Sequence, residues 1–239
     1  MFRAIRYRNF RLLRDATLPL GPFTLIVGPN ASGKSSALAA LTGYSNPIRP
    51  TKPNVSVGLD QETASKFSFE YEYEAPEGRF IARVTHHDER RTEPQWIMPP
   101  GESGSVPRHV QKEMHRRLSS ARVYSLDSNA LARPSSLTPN AELGPLGNDL
   151  ANVVDRLRDQ APERFERLNA DVGSWLPEFD RVLFDTPGNG QRALALRRRM
   201  DGSKIPAMFL SQGTLLAIAL LTLSHLPDPP ALIGLEEPG

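Results

Sequence analysis

Phe23-Thr24-Leu25-Ile26-Val27-Gly28-Pro29-Asn30-Ala31-Ser32-Gly33-Lys34-Ser35 is the stretch that decides how this chain is read. Gly28 to Ser35 fits G-x-x-x-x-G-K-[ST], the phosphate-binding loop pattern. The apolar run Phe23 to Val27 predicts a strand leading into it, and Ala37-Leu38-Ala39-Ala40-Leu41 predicts a helix starting near Gly33. A strand, a glycine turn and a helix N-terminus in that order bring backbone N–H groups and a positive dipole end onto phosphate oxygens. Gly28, Pro29, Asn30, Ala31, Ser32, Gly33, Lys34, Ser35 and Ser36 are therefore the candidate nucleotide-binding residues. Lys34 is expected to reach the β- and γ-phosphates, and the Ser35 hydroxyl to meet Mg²⁺.

Two further segments narrow the chemistry. Leu232-Ile233-Gly234-Leu235-Glu236-Glu237-Pro238 is an apolar strand ending in acids, the Walker B pattern. Glu236 is expected to hold the metal ion, and Glu237 to orient or deprotonate the attacking water as a general base. Leu210-Ser211-Gln212-Gly213-Thr214 opens an apolar helix running to His225. Ser211 can cap that helix, Gly213 permits close backbone approach, and the exposed N–H groups form an anion site.

The rest of the chain sets limits. Its 239 residues carry a net charge of +2 and no cysteine, which excludes disulfides and thiolate zinc sites. No apolar run approaches the length of a membrane span, and Met1 to Arg6 lacks the apolar core of a secretion signal. A cytoplasmic location is expected, since ATP is found there. Phe67 to Glu74 alternates aromatic and polar residues and predicts a half-wet strand whose antiparallel partner is Arg79 to Val84, across Gly78. Phe2 to Tyr7 reads as the first strand and Phe23 to Val27 as the second. Helices are expected over His109 to Ser120, Leu150 to Gln160 (capped by Asn148 and Asp149) and from Pro162 to Leu168. Short strands are expected at Ala121 to Leu126, Val182 to Phe184, Ala193 to Leu196 and Ala231 to Leu235. Arg3, Arg6, Arg8, Arg11 and Arg14, and Arg197 to Arg199, form two basic clusters. Solvated edge-strand charge explains them as readily as a nucleic-acid surface does. His86-His87-Asp88-Glu89 reads as solvated loop, Trp96 and Trp175 as packing residues, and Asp185-Thr186-Pro187-Gly188 as a turn.

With these segments in order, the chain resembles the ABC-class P-loop ATPases of the RecF/SMC/OLD-like group. The resemblance rests on Ile5 to Arg11, on Leu210 to Ala217, on Glu236-Glu237-Pro238 and on a lid-like stretch over 149–176. It implies an α/β P-loop NTPase fold, an ABC-type head with a mixed sheet, an antiparallel β subdomain and a helical lid. One head over 1–239 is expected: N-terminal strands and phosphate loop (1–45), β insertion and loops (46–130), helical lid (140–178), then signature helix and Walker B strand (179–239). It further implies that Ser211, Gln212, Gly213 and Thr214 cap the γ-phosphate held by a second head. That gives an ATP-hydrolysing, ATP-dimerised head in DNA repair or phage defence, with DNA and a nuclease or toxin effector as partners. Its alternative is a head that binds ATP and recruits DNA or an effector without turnover, because the 239 residues contain neither a D-loop nor a G-x-H-P switch histidine. Gln95 and Gln111 are the candidates for the group's Q-loop glutamine. The Ser211 to Thr214 segment and the paired glutamates argue against a small-substrate kinase.

Overall fold

The computed structural model describes residues 1–44, 66–87, 90–188 and 190–236. They form two compact units, Met1–Val123 with Ala231–Gly234, and Tyr124–Pro230 with the residues from Leu235 on.

The first unit is built on one antiparallel sheet. Its strands are β1 (Phe2–Phe10), β2 (Leu13–Pro19), β3 (Lys66–Ala75), β4 (Gly78–His87), β5 (Arg90–Arg91) and β6 (Gln95–Ile97). They lie in the order β2-β1-β3-β4-β5, with β6 also on β4. Period-two alternation puts Ile5 and Tyr7 of β1 and Phe67, Phe69, Tyr71 and Tyr73 of β3 on one buried face. Two helices cover that face, Lys34–Gly43 and Arg108–Ser119. The Tyr7 hydroxyl donates to the Ala37 carbonyl at 3.0 Å and the Tyr71 hydroxyl to the Ala40 carbonyl at 2.7 Å. Burial pushes the Tyr7 phenol pKa up, so it stays a donor. These bonds tie the helix that follows the phosphate loop to the sheet below. The opposite face is wet and charged: Arg6 pairs with Asp15, and Arg8 and Arg83 both reach Glu70.

Two short strands form a separate ladder, β7 (Arg122–Tyr124) and β12 (Ile233–Leu235). Arg122 N–H donates to Leu232 at 3.0 Å and Glu236 N–H to Tyr124 at 2.8 Å, so the strands run in the same direction.

The second unit packs the helices Leu150–Gln160, Pro162–Trp175 and Gln212–His225 with a small sheet. The sheet has β8 (Ser135–Ser136), β9 (Phe179–Asp185), β10 (Gln191–Arg198) and β11 (Lys204–Pro206). Asp155, nearly enclosed, is paired by Arg158 and Arg192, both at 2.9 Å. A buried carboxylate needs such compensation.

The β3–β4 pair, β1, β7, β9, β10, β12 and the helices form where the sequence predicts them, within a few residues, except that the helix from Pro162 runs on to Trp175, seven residues past the expected Leu168. Four expectations need correction. β1 turns back at once into β2, through Asn9 and Arg11 at φ +55° and +52°; the hairpin partner is Leu13–Pro19 and not Phe23–Val27. Residues 24–29 carry no strand ladder, and Phe23, Leu25 and Val27 are 84%, 71% and 78% exposed. Asp149 sits at φ +67° and makes no side-chain cap, because a left-handed residue does not aim its carboxylate at the helix N–H groups. Trp175 is exposed at the end of its helix, whereas Trp96 packs against the first core. His86 is buried in β4 and stacked on Phe67 at 4.7 Å, so it is no solvated loop residue; Asp88 and Glu89 lie outside the described residues. Among the described residues, no helix is long and apolar enough to cross a membrane.

Candidate nucleotide-binding site

The phosphate loop closes on itself through short contacts. Ser32 N–H donates to the Pro29 carbonyl at 3.3 Å, and Lys34 Nζ donates to the Gly28 and Pro29 carbonyls at 2.8 and 2.9 Å. A Cβ on Gly28 would come within 2.8 Å of Ser32 Oγ, so a larger residue there would push the Ser32 side chain aside. Gly33 is the N-cap of the helix Lys34–Gly43, at φ +97°. A Cβ there would also crowd Leu13 of β2 at 3.3 Å. No side chain caps this helix and no acid stands in its first turn. Its first N–H groups are therefore left for an external acceptor, in an exposed loop beside an ammonium group. Those donors fit a polyphosphate, whose oxygens would take over from the two carbonyls that Lys34 now meets. Ser35 is exposed and Ser36 is buried under the first turn. Ser35 can thus meet an ion, while Ser36 contributes its backbone.

The Walker B strand packs on the same helix. A Cβ on Gly234 would lie 2.9 Å from Leu41 Cδ1, 3.1 Å from Val123 Cγ2 and 3.2 Å from Leu38 Cδ2. Glycine at this position lets β12 close onto the helix that carries Lys34 and Ser35. Glu236 follows directly, half-buried, with its N–H held by Tyr124. Glu237, the expected general base, lies outside the described residues. Among the described residues, no three His, Asp or Glu side chains converge on a metal position. One serine hydroxyl and one carboxylate suit Mg²⁺ only when nucleotide phosphates supply further oxygens.

The signature segment belongs to the second unit. Ser211 caps the helix Gln212–His225 by accepting from Thr214 N–H at 3.1 Å, and its hydroxyl meets Thr214 Oγ1 at 2.8 Å. Ser211, Gln212 and Gly213 are exposed, and nothing lies within 4 Å of a Cβ on Gly213. Thr214 is buried and holds the cap from inside. Tyr7, Tyr71 and Leu13, which brace the loop and its helix, were not singled out from sequence. Their signal was only an aromatic or apolar residue at an inward strand position.

Residues 1–102 match the family profile described as AAA ATPase domain. The chain is 31% identical to OLD nuclease from Thermus scotoductus, over 92% of this chain and 49% of that protein. Its first 102 residues are thus similar to an AAA ATPase domain, and most of the chain is similar to part of OLD nuclease. It spans about half the length of the curated relative it matches. Among solved structures, the SMC head domain from Thermotoga maritima is 15% identical, with a TM-score of 0.47 over 95% of this chain and 74% of that one. The recombination mediator protein RecF is 13% identical, also with a TM-score of 0.47, over 99% of this chain and 85% of that one. The described residues form a mixed α/β structure built mainly on antiparallel sheets.

Proposed function

We propose that this chain is an ATP-binding and ATP-hydrolysing head that pairs with a second head when ATP is bound. The observation that supports it most is the Gly28–Ser36 loop, curled on Lys34 at an uncapped helix N-terminus, with the Walker B strand docked on that same helix. Lys34 and the loop N–H groups would hold the β- and γ-phosphates, and Ser35 and Glu236 the Mg²⁺ ion, which supplies charge neutralisation at the transferring phosphoryl group. Glu237 would position and deprotonate the attacking water. Ser211, Gln212 and Gly213, steadied by Thr214, would cap the γ-phosphate of the partner head through backbone N–H groups.

DNA and a nuclease or toxin effector remain the proposed partner classes, in DNA repair or phage defence, in a cytoplasmic setting. Their support is the OLD relative's printed description as a nuclease.

Phosphate release and nucleotide binding by the purified chain test the proposal. Lys34→Ala is expected to abolish binding. Glu237→Gln is expected to keep binding, accumulate a nucleotide-bound dimer and slow release by about 10²-fold or more. Turnover at the parental rate in Glu237→Gln would remove that residue from the base's role. No release by the parent, with binding intact, would favour the recruiting module without turnover.

A further inference from the structure

An open cavity of about 540 Å³ lies within the second unit, walled by the helix Pro162–Trp175, by β9 and by Arg199, the residue after β10. Two acids in its wall are already paired. Glu166 accepts from Arg181 at 3.0 Å, and Asp180 from Arg197 at 2.8 and 2.9 Å. The Arg197 hydrogen bond first, then the charges of Arg197, Arg199 and Arg181, hold the Asp180 carboxyl below its usual range.

Arg199 has no acid of its own among the described residues. Its Nη2 donates to the Gly173 and Phe179 carbonyls at 3.1 and 3.2 Å, which pins the guanidinium at the helix end. A Cβ on Gly173 would stand 3.0 Å from that nitrogen, so a larger residue there would press the guanidinium away. Nε and Nη1 keep their N–H donors unused among the described residues. The helix end offsets about half of a unit charge, so Arg199 leaves the cavity positive. Asn169, also in the wall, is 5% exposed. Its Oδ1 accepts from Val182 N–H at 2.8 Å, which fixes the amide's orientation, and its Nδ2 has no hydrogen-bond partner. Buried donors are normally satisfied, and an acceptor entering this cavity would supply what Nδ2 lacks. At the rim, Trp175 and Met200 follow Ser174 and Arg199 in sequence and are 64% and 85% exposed.

We infer that this cavity binds a ligand with a carboxylate beside an apolar group. The carboxylate takes the unused donors of Arg199, and the apolar group covers Trp175 and Met200. A single uncompensated cation matches the unit charge of a carboxylate. A phosphate brings about −1.5 to −2, and Glu166 and Asp180 in the wall would oppose the excess. The guanidinium is held in place before the ligand arrives, so little ordering is required on binding. The site does not depend on how the nucleotide is held.

Saturation-transfer difference NMR on the full chain tests this with 4-methylpentanoate, a free apolar acid, and acetyl-Leu-Glu-amide, which carries its carboxylate on a peptide. Both are expected to receive saturation, and the tighter one identifies a small molecule or a protein partner as the source. 4-Methylpentanamide, the neutral isostere, is expected to bind at least about tenfold more weakly, and Arg199→Met to weaken both acids as much. Trp175→Ser, at an exposed position, is expected to weaken them about threefold, and carries the test should Arg199→Met lose its fold. No transfer to either acid, parental binding in the folded variants, or equal binding of the amide would overturn the proposal. Displacement of the acids by an equal concentration of inorganic phosphate would overturn the choice of carboxylate.

Discussion

Ala31 holds φ +62° in the phosphate loop, a left-handed conformation that a side chain bearing Cβ enters at a cost. That cost is about 1–2 kcal/mol, while glycine's extra freedom in the unfolded chain takes back about half of it. Ala31→Gly is therefore expected to raise stability by about 0.5–1 kcal/mol. Gly33→Ala is expected to lower it by at least as much, since φ +97° strains the alanine and its Cβ meets Leu13 at 3.3 Å. Urea midpoints of the two variants check this. Equal shifts for both would mean that the loop relaxes away from its curled form. The motif was legible in sequence because glycine, lysine and serine are each needed there by type. The brace beneath it was not, since Tyr7 and Tyr71 differ from any core aromatic only in where their hydroxyls point.

At the scale of elements, the site depends on how β12 meets the helix Lys34–Gly43. Gly234 has no room for a methyl group: Leu41, Val123 and Leu38 all stand within 3.2 Å of the Cβ position. Gly234→Ala is expected to destabilise by about 1–3 kcal/mol through overpacking. Leu41 Cδ1 is the nearest atom, so Leu41→Val should relieve part of that penalty, and the double variant should be less destabilised than the sum of the two. Thermal unfolding of the four proteins closes the cycle. Strict additivity would mean that the strand does not rest on the helix. The same contrast explains what sequence could reveal. β3 and β4 were plain because each alternates over its whole length around Gly78. β2 was hidden, since Leu13, Ala16 and Leu18 do not keep period two and the turn before it uses asparagine and arginine in place of glycine. Phe23–Val27 is apolar and β-branched as a buried strand is, but such a run specifies an extended backbone and not a neighbour to bond with.

Over the whole molecule, the basic clusters are more neutralised than a net charge of +2 suggests. Arg3 pairs with Glu74, Arg6 with Asp15, Arg8 with Glu70, Arg197 with Asp180 and Arg198 with Asp201. On the helix Arg108–Ser119, hydrogen bonds from Arg116 and Arg117 hold the Glu113 carboxyl down to about 2. Such pairing leaves few cations free to displace counterions from a phosphate backbone, so these clusters give DNA binding little support. Nucleotide binding has a sharper signature. A ligand that binds only the folded chain stabilises it by about 2.7 kcal/mol at a hundred times its Kd. For a chain of this size that corresponds to a rise of roughly 5–10 °C in Tm. Mg²⁺ and ATP at that excess are expected to produce this rise in the parent and none in Lys34→Ala, which loses the only cationic side chain of the Gly28–Ser36 segment. The shift should grow with the logarithm of ATP concentration once the site is filled. A parent whose Tm ignores ATP, or a Lys34→Ala chain stabilised as much as the parent, would move the nucleotide away from the Gly28–Ser36 loop.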